Sequence, residues 1–175
     1  LAPTSGTSSV EATCTHILAA GGCDAIVGAL VSTHRRAVQI ATQLGAALFS
    51  LLQAASIHLK TSPSWLKAHR AASRARVEAC PGALCALADL IIYHSHQADV
   101  IKCFVPCLCA LLDPGDQPSS SDALSALPNA SELVRVLELC KAAPDLRGAA
   151  GLERLLKVLR QALPLEGRTS ELATP

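Results

Sequence analysis

Aromatic side chains are almost missing from this 175-residue chain, which has two Phe, one Tyr, one Trp and no Met. The chain is long enough to bury a core, but that core must be assembled from small and branched aliphatic groups. Ala and Leu supply about a third of the residues, a composition that favours helices packed closely through alanine. Alternating runs of Val, Ile, Thr and aromatics, the mark of strands, persist nowhere, so almost no sheet is expected. An excess of charge of one sign is lacking too. A formal net charge of +1 gives no global basis for binding nucleic acid, because phosphate-binding domains carry a large basic excess. No apolar run reaches the roughly 18–20 residues that cross a bilayer; Ala46–Leu59 is broken by Ser50, Gln53 and His58, and no membrane partner is expected. The chain opens on Leu1, and with Met absent this suggests a processed product or, preferably, an excerpt from a longer protein. Leu1–Ser9 lacks the charged and apolar blocks of a secretory signal.

Cysteine, by contrast, is plentiful. Its eight positions, Cys14, Cys23, Cys80, Cys85, Cys103, Cys107, Cys109 and Cys140, fall mostly inside Ala/Leu-rich stretches. Free cysteine packs as a small hydrophobe, so the thiols read as core residues in a reducing, intracellular compartment, cytoplasmic or cytoskeletal.

A polar leader (1–8) precedes a helix over Ser9–Ala19 that the Gly21-Gly22 pair ends. A short helix follows over Asp24–Val31, with Asp24 as its cap, and then a long one over Arg35–Leu59 with apolar residues every three or four positions. Thr61–Ser64 breaks the chain, and Ser64 is placed to cap a helix over Trp65–Cys80 that Pro81-Gly82 closes. Ala83–Tyr93, a polar corner at His94–Gln97 and a helix over Asp99–Leu112, kinked at Pro106, come next. Asp113–Asp122 is rich in Pro, Gly and Ser and reads as a loop. Helices over Ser131–Ala143 and Gly151–Leu163 flank Pro144-Asp145, and Pro164 begins the tail (164–175).

The unit of helix, glycine stop, short apolar helix, polar corner and long helix occurs over 9–53 and again over 65–112. Ala19–Leu30, Glu78–Leu87 and Gly148–Leu159 share one pattern of glycine and aliphatic positions, and Ala37–Ala41 matches Asp99–Cys103. In these stretches the chain resembles the armadillo-repeat family of α-solenoids, including its HEAT-like relatives. The resemblance implies an all-α, right-handed α–α superhelix of about two complete repeats plus a partial third (130–163), cut off before its last helix. Gly21, Gly22, Pro81, Gly82 and Gly151 would be its structural turns. The steps from Ala25 to Gly82 and from Gly82 to Arg154 exceed the roughly 40-residue repeat, which implies insertions around Ile57–Ser64 and over 113–129. Units of this kind expose apolar faces until a neighbour stacks on them, so more solenoid or a partner is expected at the ends.

Nuclear-import receptors of this family bind basic peptides with Trp and Asn on successive third helices. Ser50 and Ala110 stand at the Asn positions here, and Trp65, the sole Trp, begins a helix. The resemblance therefore implies only generic protein binding along a groove or exposed face.

Lys60, Lys67, Arg70, Arg74 and Arg76, with His69 among them, form a basic run without an acid until Glu78. Arg70 and Arg74 share a helical face. The run reads as a docking patch for an acidic protein surface or for phosphates, set against the commoner solvated helix face. His94, His96, Cys103, Cys107 and Cys109 lie close in sequence, but with no Cys-x-x-Cys knuckle they read as core thiols and a polar corner, not a zinc site. Gly21-Gly22 has no Lys-Ser or Lys-Thr after it, and no nucleophile–base or paired-carboxylate motif is present. No enzyme activity, cofactor or metal is expected. The chain reads as a protein-interaction scaffold or adaptor within a larger hetero-assembly. The alternative is a structural subunit of a large ribonucleoprotein or cytoskeletal complex, for example a ciliary one, whose basic segment contacts RNA or an acidic filament. A helical-bundle cytokine is disfavoured by the glycine boundaries and short central helices.

Overall fold

The computed structural model describes residues 7–32, 37–53, 63–112, 127–146, 149 and 151–162. These residues form eight α-helices and one 3-10 turn without any strand, so the described chain is all-α. The helices are α1 (Thr7–Ala19), α2 (Gly22–Val31), α3 (Val38–Gln53), α4 (Pro63–Ala79), α5 (Ala83–Tyr93), α6 (Ala98–Leu112), α7 (Ala130–Ala142) and α8 (Leu152–Ala162), with the 3-10 turn at Pro144–Leu146 between the last two. The ends of the long helix expected over Arg35–Leu59, most of the two insertions and the tail lie outside the described residues.

Local chemistry explains most boundaries. Gly21, Gly82 and Gly151 all hold the left-handed backbone, with φ of 81°, 76° and 83°, which a side chain would disfavour. The axes of Glu11–Ala19 and Gly22–Val31 consequently turn by 56°. Two expected caps are corrected. Asp24 does not cap α2, which starts behind Gly21 without a side-chain cap; it lies inside the first turn, where a carboxylate favours the positive end of the helix. Ser64 does not cap α4 either, because the helix already begins at Pro63, whose fixed φ and missing N–H suit a first helical position. Pro106 lies within α6, which is helical from Ala98 to Leu112.

The packing order follows the chain. α3 lies most extensively against α6; α4 packs against α3, α2 and, least, α1, and α2 also meets α5; α5 then packs on α7 and α6 on α8. Sequence alignment of Gly148–Leu159 with the first glycine boundary is thus out of step with the packing. Gly151 has the expected backbone, but the helix after it continues the row of α3 and α6, not that of α2 and α5. Amphipathicity decides its place, since Leu152, Leu155, Leu156 and Leu159 form one buried face that closes over α6.

At the centre is α6, where Val100, Ile101, Phe104, Val105, Cys107, Leu108, Cys109, Leu111 and Leu112 are all buried. Its approach to α3 depends on Gly45: a Cβ there would stand 2.9 Å from Phe104 Cζ and 3.1 Å from Cys103 Cβ, closer than packed carbons tolerate. Gly28, in α2, has nothing within 4 Å of a Cβ built on it. The two glycines should respond oppositely. Gly45→Val is expected to destabilise by about 1–3 kcal/mol through overpacking and to be partly rescued by Phe104→Leu. Gly28→Ala is expected to stabilise by about 0.5–1 kcal/mol through helix propensity. Urea midpoints at unchanged m-values measure both.

Candidate functional site

The expected basic patch lies on α4, and the structure divides it. Lys60 is outside the described residues. Lys67, Arg70 and Arg74 share one side of α4, as positions three and four apart must, whereas Arg76 is about two and a half turns beyond Lys67 and projects from the other side. Arg74 Nε donates to Glu78 Oε1 at 2.7 Å, and Arg76 stands 3.6 Å from Asp24 Oδ2 on α2. Lys67 and Arg70 are exposed and have no acidic partner among the described residues. The patch is therefore two exposed cations beside one that is paired along the helix.

His69, placed among these cations by sequence, is 4% exposed and belongs to the core side of α4. Its Nε2 is 3.0 Å from the carbonyl oxygen of Leu51, in the last turn of α3, where carbonyls run out of helical N–H partners. A carbonyl only accepts, so Nε2 carries the proton and donates. Ser73, fully buried, donates to the same oxygen at 3.4 Å. Trp65 stacks on His69 with ring centroids 4.8 Å apart, and its indole N–H donates to Thr15 Oγ1 on α1 at 3.3 Å. One turn of α4 thus ties together α1 and the end of α3. Beside Trp65, an open groove of roughly 550 Å³ runs between α1 and α4, lined by Glu11, Ala12, Thr15, His16 and Ala19.

A second polar cluster joins α2 to α4. The Cys80 thiol donates to Asp24 Oδ1 at 3.3 Å, opposite the oxygen that Arg76 faces. Burial, then the neighbouring Asp24 carboxylate, pushes the Cys23 thiol up to about 11. Burial likewise raises Cys107, whose thiol donates to the Cys103 carbonyl at 3.1 Å. All eight cysteines are free thiols. The His94, His96, Cys103, Cys107 and Cys109 set is dispersed: His94 is buried at the end of α5, Cys107 turns toward Gly45 and Cys109 lies against Gly151. Among the described residues no three His, Cys, Asp or Glu side chains are grouped to hold a metal ion.

Sequence reasoning singled out the cations but not the surface that the helices leave bare. Ile17, Val31 and Ile40 in α1–α3 remain about two-fifths exposed, and Tyr93 at the end of α5 and Leu139 on α7 more than half; in a sequence this rich in aliphatics the aliphatic ones look like any other core position. Comparison with protein-family models, with curated proteins and with solved structures returns no match.

Two outcomes are expected. Replacing His69 by Phe together with Ser73 by Ala strips the Leu51 carbonyl of both side-chain donors and should cost about 1–3 kcal/mol, read from thermal or urea unfolding, while Lys67→Ala leaves the midpoint in place. Iodoacetamide at pH 8 should spare Cys23 and Cys107 in the native protein and label them once urea unfolds it, because raised thiol pKa values keep the reactive thiolate scarce. Both groups bind their protons more tightly when folded, so their contribution is complete below the ordinary thiol value of 9.0 and fades as pH rises, for Cys23 towards 11 and for Cys107 beyond it.

Proposed function

We propose that the chain is an armadillo-like helical stack that acts as a non-enzymatic protein-interaction scaffold within a larger assembly. The observation that carries this is the recurrence of neighbour packing, in which α3 lies on α6 and α6 on α8, with α2 on α5 and α5 on α7 beside them. Stacks built in this way are stabilised by neighbour contacts and display long faces on which partners lie. The pattern of glycine stops, now seen as three left-handed glycines, supports the armadillo resemblance over a bundle of long helices. Eight free thiols, four of them buried, support a reducing, intracellular setting.

The exposed pair Lys67 and Arg70 favours a second form of the same role, a structural subunit whose α4 meets RNA or an acidic filament surface. The two differ in salt response. Cross-linking mass spectrometry on native assemblies, at low and moderate salt, is expected to give the same links from Lys67 and Lys102 to a defined set of proteins at both. If α4 instead contacts phosphates, fluorescence anisotropy with single-stranded RNA should show binding that weakens with salt, and Lys67→Ala with Arg70→Ala should weaken it. Loss of two phosphate contacts corresponds to a log–log salt slope shallower by about 1.4. A monomer with no links at either salt sinks the scaffold proposal.

A further inference from the structure

Trp65 is held in one pose. Its indole N–H donates to Thr15 Oγ1 at 3.3 Å, and the same Thr15 hydroxyl donates to the Glu11 carbonyl at 2.7 Å. One ring face lies on His69 in a nearly parallel stack, with 22° between the planes. The other face of this half-buried ring is left to the groove that Trp65 lines. The opposite wall is α1, which brings the Glu11 carboxylate and ends at His16 and Ala19, in its last turn, where the helix dipole leaves partial negative charge. Donors are scarcer. Of the described lining side chains that carry one, Thr15 and Trp65 spend theirs inside the wall and His16 remains. The cations of α4 point elsewhere: Lys67 and Arg70, two and five residues on from Trp65, project from other sides of the helix, and neither lines the groove.

We propose that this groove takes an arginine side chain of a partner polypeptide, the guanidinium lying flat on the open indole face with its N–H groups directed at the Glu11 carboxylate. A surplus of acceptors selects a ligand that donates, and a π face beside a carboxylate selects a cation. Guanidinium meets both demands with one flat group. It stacks on aromatic faces and presents its donors in a rigid fork, whereas an ammonium is a compact, strongly hydrated point charge. Glu11 keeps any contact it makes within the chain, because a carboxylate has lone pairs for several donors. The groove's shape selects the source. Sites for free small molecules enclose most of their ligand; this one is open between α1 and α4, so a side chain enters while its main chain stays outside. The inference rests on the scaffold reading for the partner, but the preference for guanidinium belongs to the chain alone and is measured on it.

Trp65 is the sole tryptophan, so its emission reports on the groove directly. Titration at low salt with the blocked peptide acetyl-Gly-Gly-Arg-Gly-Gly-amide is expected to change that emission saturably. The same peptide with Gln in place of Arg should leave it unchanged, and with Lys should bind more weakly. Glu11→Gln should weaken the Arg peptide about threefold or more, the loss of one surface charge pair, with helical ellipticity and urea midpoint unchanged. Lys67→Ala, outside the groove, should leave binding in place. No saturable change with the Arg peptide, an equal response to the Gln peptide, or an unchanged affinity in Glu11→Gln overturns the proposal. Arginine amide that binds as tightly as the peptide makes the occupant a free cation and overturns the polypeptide source. Cross-links from Lys67 and Lys102 decide the scaffold reading separately.

Discussion

A phenyl ring laid on a glycine sets the distance at which the first three helices meet the next three. Phe104 is the largest side chain that α6 buries, and it finds room because Gly45 has no Cβ to hold α3 away. Everything else is arranged around that contact. With α6 this close, its opposite side is left for α8, and the flanking α2 and α5 come together beside it. A chain with so few aromatics has little other means of filling space between helix axes, since alanine and leucine fill it only at short separations. Close approach therefore substitutes for bulk.

The all-helical class and nearly all helix positions were legible in the sequence, because glycine stops and three-to-four spacing depend on local chemistry. Gly21, Gly82 and Gly151 adopt the same left-handed backbone, and the interior helix Ala83–Tyr93 has the bounds that its apolar run requires. What was not legible depends on contacts between distant segments. The place of α8 beside α6 is fixed by a leucine face meeting a surface that exists only after α6 is seated. Asp24 looks like a cap in isolation, yet its carboxylate faces Arg76 and Cys80, which arrive from another helix.

The basic run illustrates the same division at the level of the candidate site. Counting charges along the chain treats five cations and a histidine as equals. Helix geometry puts Arg76 on a different side from Lys67, neighbours neutralise Arg74 and Arg76, and burial turns His69 into a donor for the end of α3. The surface charge left over on α4 is modest, while α3 has no charged residue from Val38 to Gln53 and ion pairs join α7 to α8.

The single tryptophan lies in the outer layer, on α4, bonded to α1 and stacked on His69, while the interior around α6 holds no Trp or Tyr. Tryptophan emission therefore sees only the α1–α4 edge, and ellipticity sees every helix. An ordinary comparison of the two signals becomes a map of cooperativity: coincident transitions mean that the outer layer and the α6 interior unfold as one, and an earlier change in emission means that the edge opens while the interior is still folded. In tryptophan emission the centre of this protein is silent, and its one lamp hangs on the outside wall.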